Sequence, residues 1–157
     1  MESCKAISEL IKFADFSHLN LSGNNIESDS ISALIEGINM NHSLISLNLA
    51  GNCLTSEGGN LLFINLKNHP SLIEINISND EKSNNKNLIG NKGCSNLKLF
   101  LETNNIISIL NIADNNIGNE GFLQICEGLE KNRSLTSLNM SKNNLPKSCI
   151  YSMSILI

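Results

Sequence analysis

The chain has 157 residues and a formal net charge of −4, from 11 lysines and arginines against 15 aspartates and glutamates. A weakly acidic chain lacks the basic surface that attracts nucleic acids and anionic membranes, so we expect neither as a partner. Hydrophobic residues make up 41% of the sequence, but aromatic residues only 4%, and valine and tryptophan are absent. Asparagine, serine, leucine and isoleucine dominate instead, which is typical of repeat proteins.

The N-terminal segment, residues 1–15, has the pattern of a helix. We expect this helix to cap one end of the structure and to turn three side chains inward, namely Ala6, Leu10 and Phe13. The segment has no basic stretch followed by an apolar one, and no apolar run in the chain reaches the about 20 residues of a membrane span. These features predict an intracellular, cytoplasmic protein.

Five similar segments follow along the chain: LNLSGNNI at 19–26, LNLAGNCL at 47–54, INISND at 75–80, LNIADNNI at 110–117 and LNMSKNNL at 138–145. Leu21, Leu49 and Ile77 are equally spaced, and the same interval separates Ile112 from Met140. We call this interval the repeat period. The step from Ile77 to Ile112 is longer, because the third repeat carries a seven-residue insertion near 81–87.

Each repeat combines a strand pattern with a helix pattern. Two apolar residues alternate with asparagine, as in Leu47-Asn48-Leu49, which predicts a short strand with one buried face. Apolar residues at steps of three and four then predict a helix with one buried stripe. Its columns are 31, 59, 94, 122, 150; then 34, 62, 97, 125, 153; then 38, 66, 101, 129, 157. The residues expected to N-cap the helices are Ser28, Ser56, Asn91 and Asn119.

A strand and helix of this size cannot bury their apolar sides alone, so the repeats must stack. Successive strands run in the same direction, which predicts a parallel sheet with the helices on its other side. The predicted fold is an α/β right-handed solenoid, a horseshoe arc with the sheet on the concave side and the α-helices on the convex side. A single domain, 1–157, would comprise the capping helix and about five repeats from residue 16 onward.

The LxLxxN pattern, the following Asn-(Ile/Leu) pair, and the segments GNKG at 90–93 and GNEG at 118–121 resemble the ribonuclease-inhibitor-like class of leucine-rich repeats. This class includes the sensing regions of NOD-like receptors, the Ran GTPase activator and the tropomodulin C-terminal domain. The resemblance covers residues 16–157 and implies a non-catalytic protein–protein interaction scaffold. The alternative it implies is a regulator of a GTPase or of actin filaments.

One asparagine recurs three residues after each strand, at a bend where an amide can both donate to and accept from the backbone. In the third repeat Asp80 stands at this place and cannot donate when ionised, so we expect Asn87, one repeat period before Asn115, to replace it. The predicted structural asparagines are Asn24, Asn52, Asn87, Asn115 and Asn143.

Strand residues that point away from the helices are the first candidates for contacting a partner. They include His18, Asn20, Asn48, Glu74, Asn76, Ile109, Asn111 and Asn139. The central residue is asparagine in all five strands, so these amides either bind a partner or hydrogen-bond to each other along the sheet. The residues that usually anchor interfaces, Trp, Tyr and Arg, are missing from this face, which favours the second alternative.

The insertion supplies the second set of candidates: Asp80, Glu81, Lys82, Asn84, Asn85 and Lys86. A polar loop between strand and helix is a common place for binding residues. A tolerated surface excursion explains it equally well, because added loop residues cost little closure entropy.

No chemical motif points to catalysis. The sequence contains no phosphate-binding loop, zinc-protease or nucleophile-elbow motif, and we expect no catalytic residue, cofactor or metal. The five cysteines form no Cys-x-x-Cys pair, which predicts reduced and mostly buried thiols.

The last repeat ends on its core column without a polar capping repeat. Three explanations are open: a fragment of a longer parent chain, end-to-end self-association, or an irregular closing tail. The expected partner is otherwise another protein.

Overall fold

The computed structural model describes residues 2–79, 84–146 and 149. Helices and strands alternate along it: α1 Glu2–Phe13, β1 His18–Asn20, α2 Ser28–Met40, β2 Ser46–Asn48, α3 Ser56–Leu66, β3 Glu74–Asn76, α4 Gly90–Thr103, β4 Ile109–Asn111, α5 Asn119–Lys131 and β5 Ser137–Asn139. Every strand after β1 is thus joined to the previous strand through one helix.

The strands form one parallel sheet in sequence order, β1-β2-β3-β4-β5. The second and third residues of neighbouring strands align across the sheet, and so do the first residues: His18, Ser46, Glu74, Ile109 and Ser137. The insertion lies between β3 and α4 and leaves this register unchanged. The repeat period of the sequence is therefore confirmed as the register of the sheet.

The core lies between the sheet and the helices. Leu47, Leu49, Ile75 and Ile77 of the central repeats have no exposed surface, as the strand alternation predicts. The helix columns are also buried where the structure describes them, except that Leu129 near the C-terminal end is only partly buried. Side chains facing the helices thus close the core, and the predicted α/β leucine-rich-repeat solenoid is confirmed. The core positions 150, 153 and 157 lie outside the described residues.

The predicted orientation of α1 is wrong. Three side chains were expected to face inward: Ala6, Leu10 and Phe13. All three are exposed, Phe13 to 87%, and the helix instead buries Cys4, Ser8 and Ile11. Among the described residues no strand precedes β1, so the face of α1 that would cover a strand has none beneath it. The helix packs sideways on α2, where Ser8 Oγ accepts a hydrogen bond from the Gly37 N–H at 2.9 Å.

The predicted N-caps are also displaced. Ser28, Ser56 and Asn119 are the first residues of their helices, and Asn91 is the second residue of α4. None of the residues at the actual N-cap positions, which include Glu27, makes a side-chain capping bond. Two of the predicted caps act on the neighbouring repeat instead.

Ser28 caps the helix that follows its own. Its Oγ accepts the N–H groups of Thr55 and Gly58, at 3.0 and 3.1 Å, which are the N-cap and third residues of α3. Asn91 Oδ1 does the same for Gly118 and Gly121 of α5, at 2.7 and 3.1 Å. The polar column is thus a source of capping groups, as predicted, but the bonds run between repeats because stacked helices begin side by side.

In the part of the chain that the structure describes, we find no helix with the length and apolarity needed to cross a bilayer.

Candidate functional site

The first element of the site is a row of buried asparagines behind the ends of the strands. Asn52, which has no exposed surface, donates through Nδ2 to the carbonyls of Leu21 and Leu49, at 3.0 and 2.9 Å. Its Oδ1 accepts the N–H of Ile26 at 3.1 Å. One carboxamide thereby joins the second repeat to the first and fixes the bend after β2.

The same bonding is repeated along the solenoid. Asn87 donates to the carbonyls of Leu49 and Ile77 and accepts the N–H of Leu54, and it is fully buried. It therefore lies where the sequence placed a substitute for Asp80, a residue outside the described part of the chain. Asn115 is fully buried as well, and Asn143 is partly buried. Asn24 begins the row and is exposed.

The base of the insertion is closed by Asn79. Its Nδ2 donates to the Asn87 carbonyl at 2.8 Å, and its Oδ1 accepts the Asn87 N–H at 2.7 Å. The same Nδ2 also donates to the Asp114 carbonyl of the next repeat. Lys86 forms an ion pair with Asp114 at 2.7 Å. These bonds hold the two ends of the inserted loop next to each other and next to the following repeat.

A second row of asparagines lies on the face of the sheet opposite the helices, which we call the open face: Asn20, Asn48, Asn76, Asn111 and Asn139. Each Oδ1 accepts the N–H of the residue two positions later, at 3.0 to 3.2 Å. Within the described residues, no Nδ2 of this row has a protein acceptor. The expectation that these amides bond to each other along the sheet is therefore not met among the described residues.

The open face consequently offers hydrogen-bond donors in excess. Its ionisable side chains are His18, whose Nδ1 lies 2.7 Å from Ser17 Oγ, and the half-buried Glu74. No group of three side chains that could hold a metal ion occurs within residues 2–79, 84–146 and 149.

An exposed apolar margin lies at the start of three strands, and two of its residues, Ile45 and Ile73, were not identified in the sequence. Ile45 and Ile73 precede neighbouring strands, and Ile109 begins β4 beside them. Their side chains are 38 to 39% exposed. Ile109 is in register with Glu74, one position after Ile73. We call Ile45, Ile73 and Ile109 the isoleucine margin; it lies at the other end of the strands from the asparagine row. The interval between Ile45 and Ile73 equals the repeat period, and this is the signal that could have found the margin.

The inserted loop forms a cleft with the open face. Asn85 Nδ2 donates to the Asn24 carbonyl at 3.1 Å and also bonds the Asn25 side chain, so the loop of the third repeat reaches the first. A cleft of about 830 Å³ lies between Asn84–Asn85 and the ends of the first three strands. Asn48 and Asn76 form part of its floor. Lys86 points to Asp114 rather than into this cleft, while Asp80, Glu81 and Lys82 lie outside the described residues.

A further polar column closes the opposite end of each repeat and was not identified in the sequence: Asn41, His69, Asn104 and Asn132. Each asparagine donates to a carbonyl of the previous repeat and accepts the N–H two residues later. His69 replaces the amide by placing Nε2 3.0 Å from the Ile38 carbonyl and Nδ1 3.4 Å from the Ser71 N–H. Burial lowers the pKa of His69, which keeps the neutral ring that these two bonds require.

The cysteines are free thiols, as predicted, and Cys4, Cys94 and Cys149 are buried. Burial raises the pKa of Cys94 to about 12, and it also raises the pKa of the half-buried Cys126. A thiol is a poor nucleophile when its thiolate is disfavoured in this way.

Comparison with known proteins agrees with this architecture. The family model for the leucine-rich repeat matches residues 16–34, 41–63, 103–126 and 131–145, together just over half of the chain. A search of curated protein sequences found no match.

Solved structures give the same fold. A structure of leiomodin-1 actin-binding site 2 is similar with a TM-score of 0.74 and 18% identity, over 99% of this chain and 85% of that one. The tropomodulin C-terminal domain of Caenorhabditis elegans is similar with a TM-score of 0.50 and 21% identity, over 83% of this chain and 91% of that one. The chain belongs to the leucine-rich repeat family, and its repeats of one strand and one α-helix are of the ribonuclease-inhibitor-like class.

Proposed function

We propose that this chain is a non-catalytic protein-interaction scaffold that binds another protein on the open face of its sheet. The observation that carries the proposal is the row of five carboxamides whose oxygens are bound locally while their Nδ2 groups point outward without a protein acceptor among the described residues. Neighbouring parallel strands lie about 4.8 Å apart, so the row is about 19 Å long. A partner surface must supply hydrogen-bond acceptors along that line.

The isoleucine margin supports the same proposal. The isoleucine margin would give the interface an apolar area about 7 to 10 Å from the asparagine row. Ile45 and Ile73 lie three positions before the asparagines of their strands, and Ile109 lies two positions before Asn111. Interfaces generally combine a small apolar centre with hydrogen-bonding groups around it. The buried thiols of Cys94 and Cys149 also fit a role without chemistry.

A double substitution, Asn111→Asp with Asn139→Asp, tests the open face. Aspartate keeps the oxygen that accepts the N–H two residues later, but it replaces the outward donor by a negative oxygen. The control is Asn68→Asp on an exposed turn after α3, because it adds the same type of charge elsewhere. Proteins captured from a cell lysate by the unaltered chain should also be captured by the control and lost by the double variant. Equal capture by all three chains would contradict the proposal.

Actin is the second candidate partner. The similarity to leiomodin-1 actin-binding site 2 extends over 99% of this chain, and that protein's domain is named for binding actin. Co-sedimentation with actin filaments at several filament concentrations is the direct test. Saturable pelleting that the Asn111→Asp, Asn139→Asp variant abolishes would support actin as the partner, and absence of pelleting would remove it.

We also propose that the protein works in a reducing compartment, the cytoplasm. All five cysteines are free thiols, and small proteins of oxidising compartments usually pair theirs. Fluorescent tagging at either end of the chain tests the location, and a signal confined to the secretory pathway would contradict it.

A further inference from the structure

We propose that two copies of this chain associate through the N-terminal ends of their solenoids. In this arrangement β1 of one copy pairs antiparallel with β1 of the other, and the two α1 helices pack side by side. The inference goes beyond the proposed function, since the contact lies at the edge of the sheet and leaves the open face of both copies uncovered.

The edge of β1 carries backbone groups that every later strand uses. The N–H of the first residue of each later strand donates to a carbonyl of the previous repeat, as the Ser46 N–H does at 3.0 Å. The carbonyl of each later central asparagine accepts an N–H from the previous repeat, as Asn48 O does from Leu21 at 2.8 Å. Because β1 is the first strand of the sheet, the His18 N–H and the Asn20 carbonyl have no such partner among the described residues.

The hydrophobic core is open at the same end of the sheet. Leu19 and Leu21 are only partly buried, whereas their equivalents in the second repeat, Leu47 and Leu49, have no exposed surface. Apolar area therefore lies beside the unpaired edge of β1, and a further layer of protein would remove it from water.

The hydrogen bonds of Asn41 show how α1 aligns with the other helices. Its Nδ2 donates to the carbonyls of Ile11 and Ala14, at 3.0 and 2.7 Å. Asn132 Nδ2 donates in the same way to two carbonyls of the fourth repeat that are also three positions apart. Leu10, four residues before Ala14, is thereby equivalent to the residue four positions before each of the later asparagines of this column.

These equivalents of Leu10 are Gly37, Phe100 and Gly128, and all three contact the preceding helix. A Cβ on Gly37 would lie against α1, and one on Gly128 would lie against α4. The Phe100 ring lies 5.5 Å from the ring of Phe63 in α3. Among the described residues α1 has no preceding helix, and Leu10 is 69% exposed.

The exposed residues around Leu10 carry no charge. They follow each other along α1 at steps of three and four: Ser3, Ala6, Leu10 and Phe13. The ion pairs of the helix lie on the side toward α2 instead, where Lys12 Nζ is 2.7 Å from Glu9 and 2.8 Å from Glu36. An exposed face that is apolar and uncharged is typical of an interaction surface.

A second copy of the chain is the occupant that this end fits, because the end is complementary to itself. When Leu19 lies opposite Leu19 of the other copy, the His18 N–H of each strand faces the Asn20 carbonyl of the other. Antiparallel α1 helices also bring the small side chains of their first half, Ser3 and Ala6, against the large side chains of the second half of the other copy. Such two-fold pairing closes after two copies, whereas contact between opposite ends of the solenoid would continue into fibres.

Sedimentation of the full chain from about 5 to 500 µM tests the association, because an interface of one strand and one helix is small and binds weakly. The unaltered chain should convert from monomer to dimer and grow no further. Leu10→Glu places a charge in the contact and should raise the dissociation constant at least about tenfold. The matched control is Leu123→Glu, which changes an exposed leucine on α5 and should leave the dissociation constant unchanged.

A pair of cysteine variants tests which strand edge is used. In the proposed pairing the Cα atoms of Leu19 and its counterpart lie about 4.5 Å apart, within the range of a disulfide. Leu19→Cys should therefore give a covalent dimer in oxidised glutathione. Leu138→Cys makes the same change in β5, at the other edge of the sheet, and should not exceed the unaltered chain, whose own five cysteines set the background.

Several results would overturn the proposal: a monomer at every concentration, growth beyond the dimer, or cross-linking by Leu138→Cys as strong as that by Leu19→Cys. A monomeric chain that loses a captured protein on Leu10→Glu would also overturn it and would assign this end to a different partner. The outcome is separable from that of the proposed function, because Asn111→Asp with Asn139→Asp should leave the dimer intact. Absence of the dimer would in turn leave the open face as the binding surface.

Discussion

Replacement of Asn52 by alanine is the most direct test of what joins the repeats. The substitution removes the two hydrogen bonds that Nδ2 donates to the carbonyls of Leu21 and Leu49, and the bond that Oδ1 accepts from the Ile26 N–H. These groups lie between the first two repeats. Asn52 has no exposed surface, so bulk water cannot replace the hydrogen bonds that its side chain makes.

The loss of these three hydrogen bonds does not cost the same free energy in each case. Leu21 O also accepts from Asn24 Nδ2 at 2.9 Å, and Leu49 O from Asn87 Nδ2 at 3.0 Å, so both carbonyls keep a donor. The Ile26 N–H has no second acceptor among the described residues and would be left unpaired. One unpaired buried N–H costs about 1–3 kcal/mol, and two lost neutral bonds add about 0.5–1.5 kcal/mol each. We expect the free energy of unfolding to fall by about 2–6 kcal/mol.

Urea unfolding followed by far-ultraviolet circular dichroism measures this loss. The matched control is Asn24→Ala, because Asn24 is exposed and its Nδ2 group donates only within its own turn, to the carbonyls of Leu21 and Ser22. We expect the control to lower the free energy of unfolding by less than about 1 kcal/mol, since water can replace its bonds. Equal destabilisation by the two variants would refute the view that the buried carboxamides couple adjacent repeats.

Three further changes test other contacts. The pKa of His69 is lower in the folded chain than in the unfolded chain, so as the pH falls the unfolded chain takes up the proton at a higher pH. The contribution of His69 to stability should therefore be full above about pH 6.5 and decline below it. His69→Asn should flatten this decline in unfolding midpoints measured from pH 5 to 8, and an unchanged pH profile would exclude His69 as its source. Gly37→Ala places a Cβ too close to the Ser8 carbonyl oxygen, so α1 should shift away and become sensitive to limited proteolysis, whereas protection equal to that of the unaltered chain would show that the contact is not tight. Leu47→Ala should cost about 2–5 kcal/mol in urea unfolding, and a loss below about 1 kcal/mol would contradict its full burial.

The period of the sequence was enough to predict the register of the sheet and the buried columns. Both follow from one requirement, that equivalent side chains in stacked repeats occupy equivalent places. Even the break in the period could be interpreted, because Asn87 stands one repeat period before Asn115 and makes the bonds expected of that column.

The incorrect predictions concern the direction in which side chains point or bond, whereas the positions of these residues in helices and strands were predicted correctly. Ser28 was identified as a capping residue, but its own helix and the next begin side by side, and sequence spacing alone does not distinguish them. The column of Asn41 and Asn104 was missed because His69 interrupts it, and an amide and a neutral imidazole resemble each other only in their hydrogen bonds. The outward face of α1 could not be derived, since its burial depends on which strands lie beside it.

The two asparagine rows show why the same residue type has different consequences a few positions apart. Asn52 lies behind the strand end, where backbone groups of two repeats surround it and use both its donor and its acceptor. Asn48 lies on the open face, where only the N–H two residues later is within reach, so part of its hydrogen-bonding capacity stays outward.

If all repeats were identical, every outward carboxamide would be equivalent. The open face would then bind any partner that offers hydrogen-bond acceptors at the right spacing. The repeats are not identical: Ala50 and Ala113 stand where the other three repeats carry serine, and the third repeat alone carries the insertion near 81–87. A scaffold that must distinguish one partner from others needs such local departures, because specificity requires a difference between sites. We therefore expect substitutions along the asparagine row to change the overall binding strength of this chain.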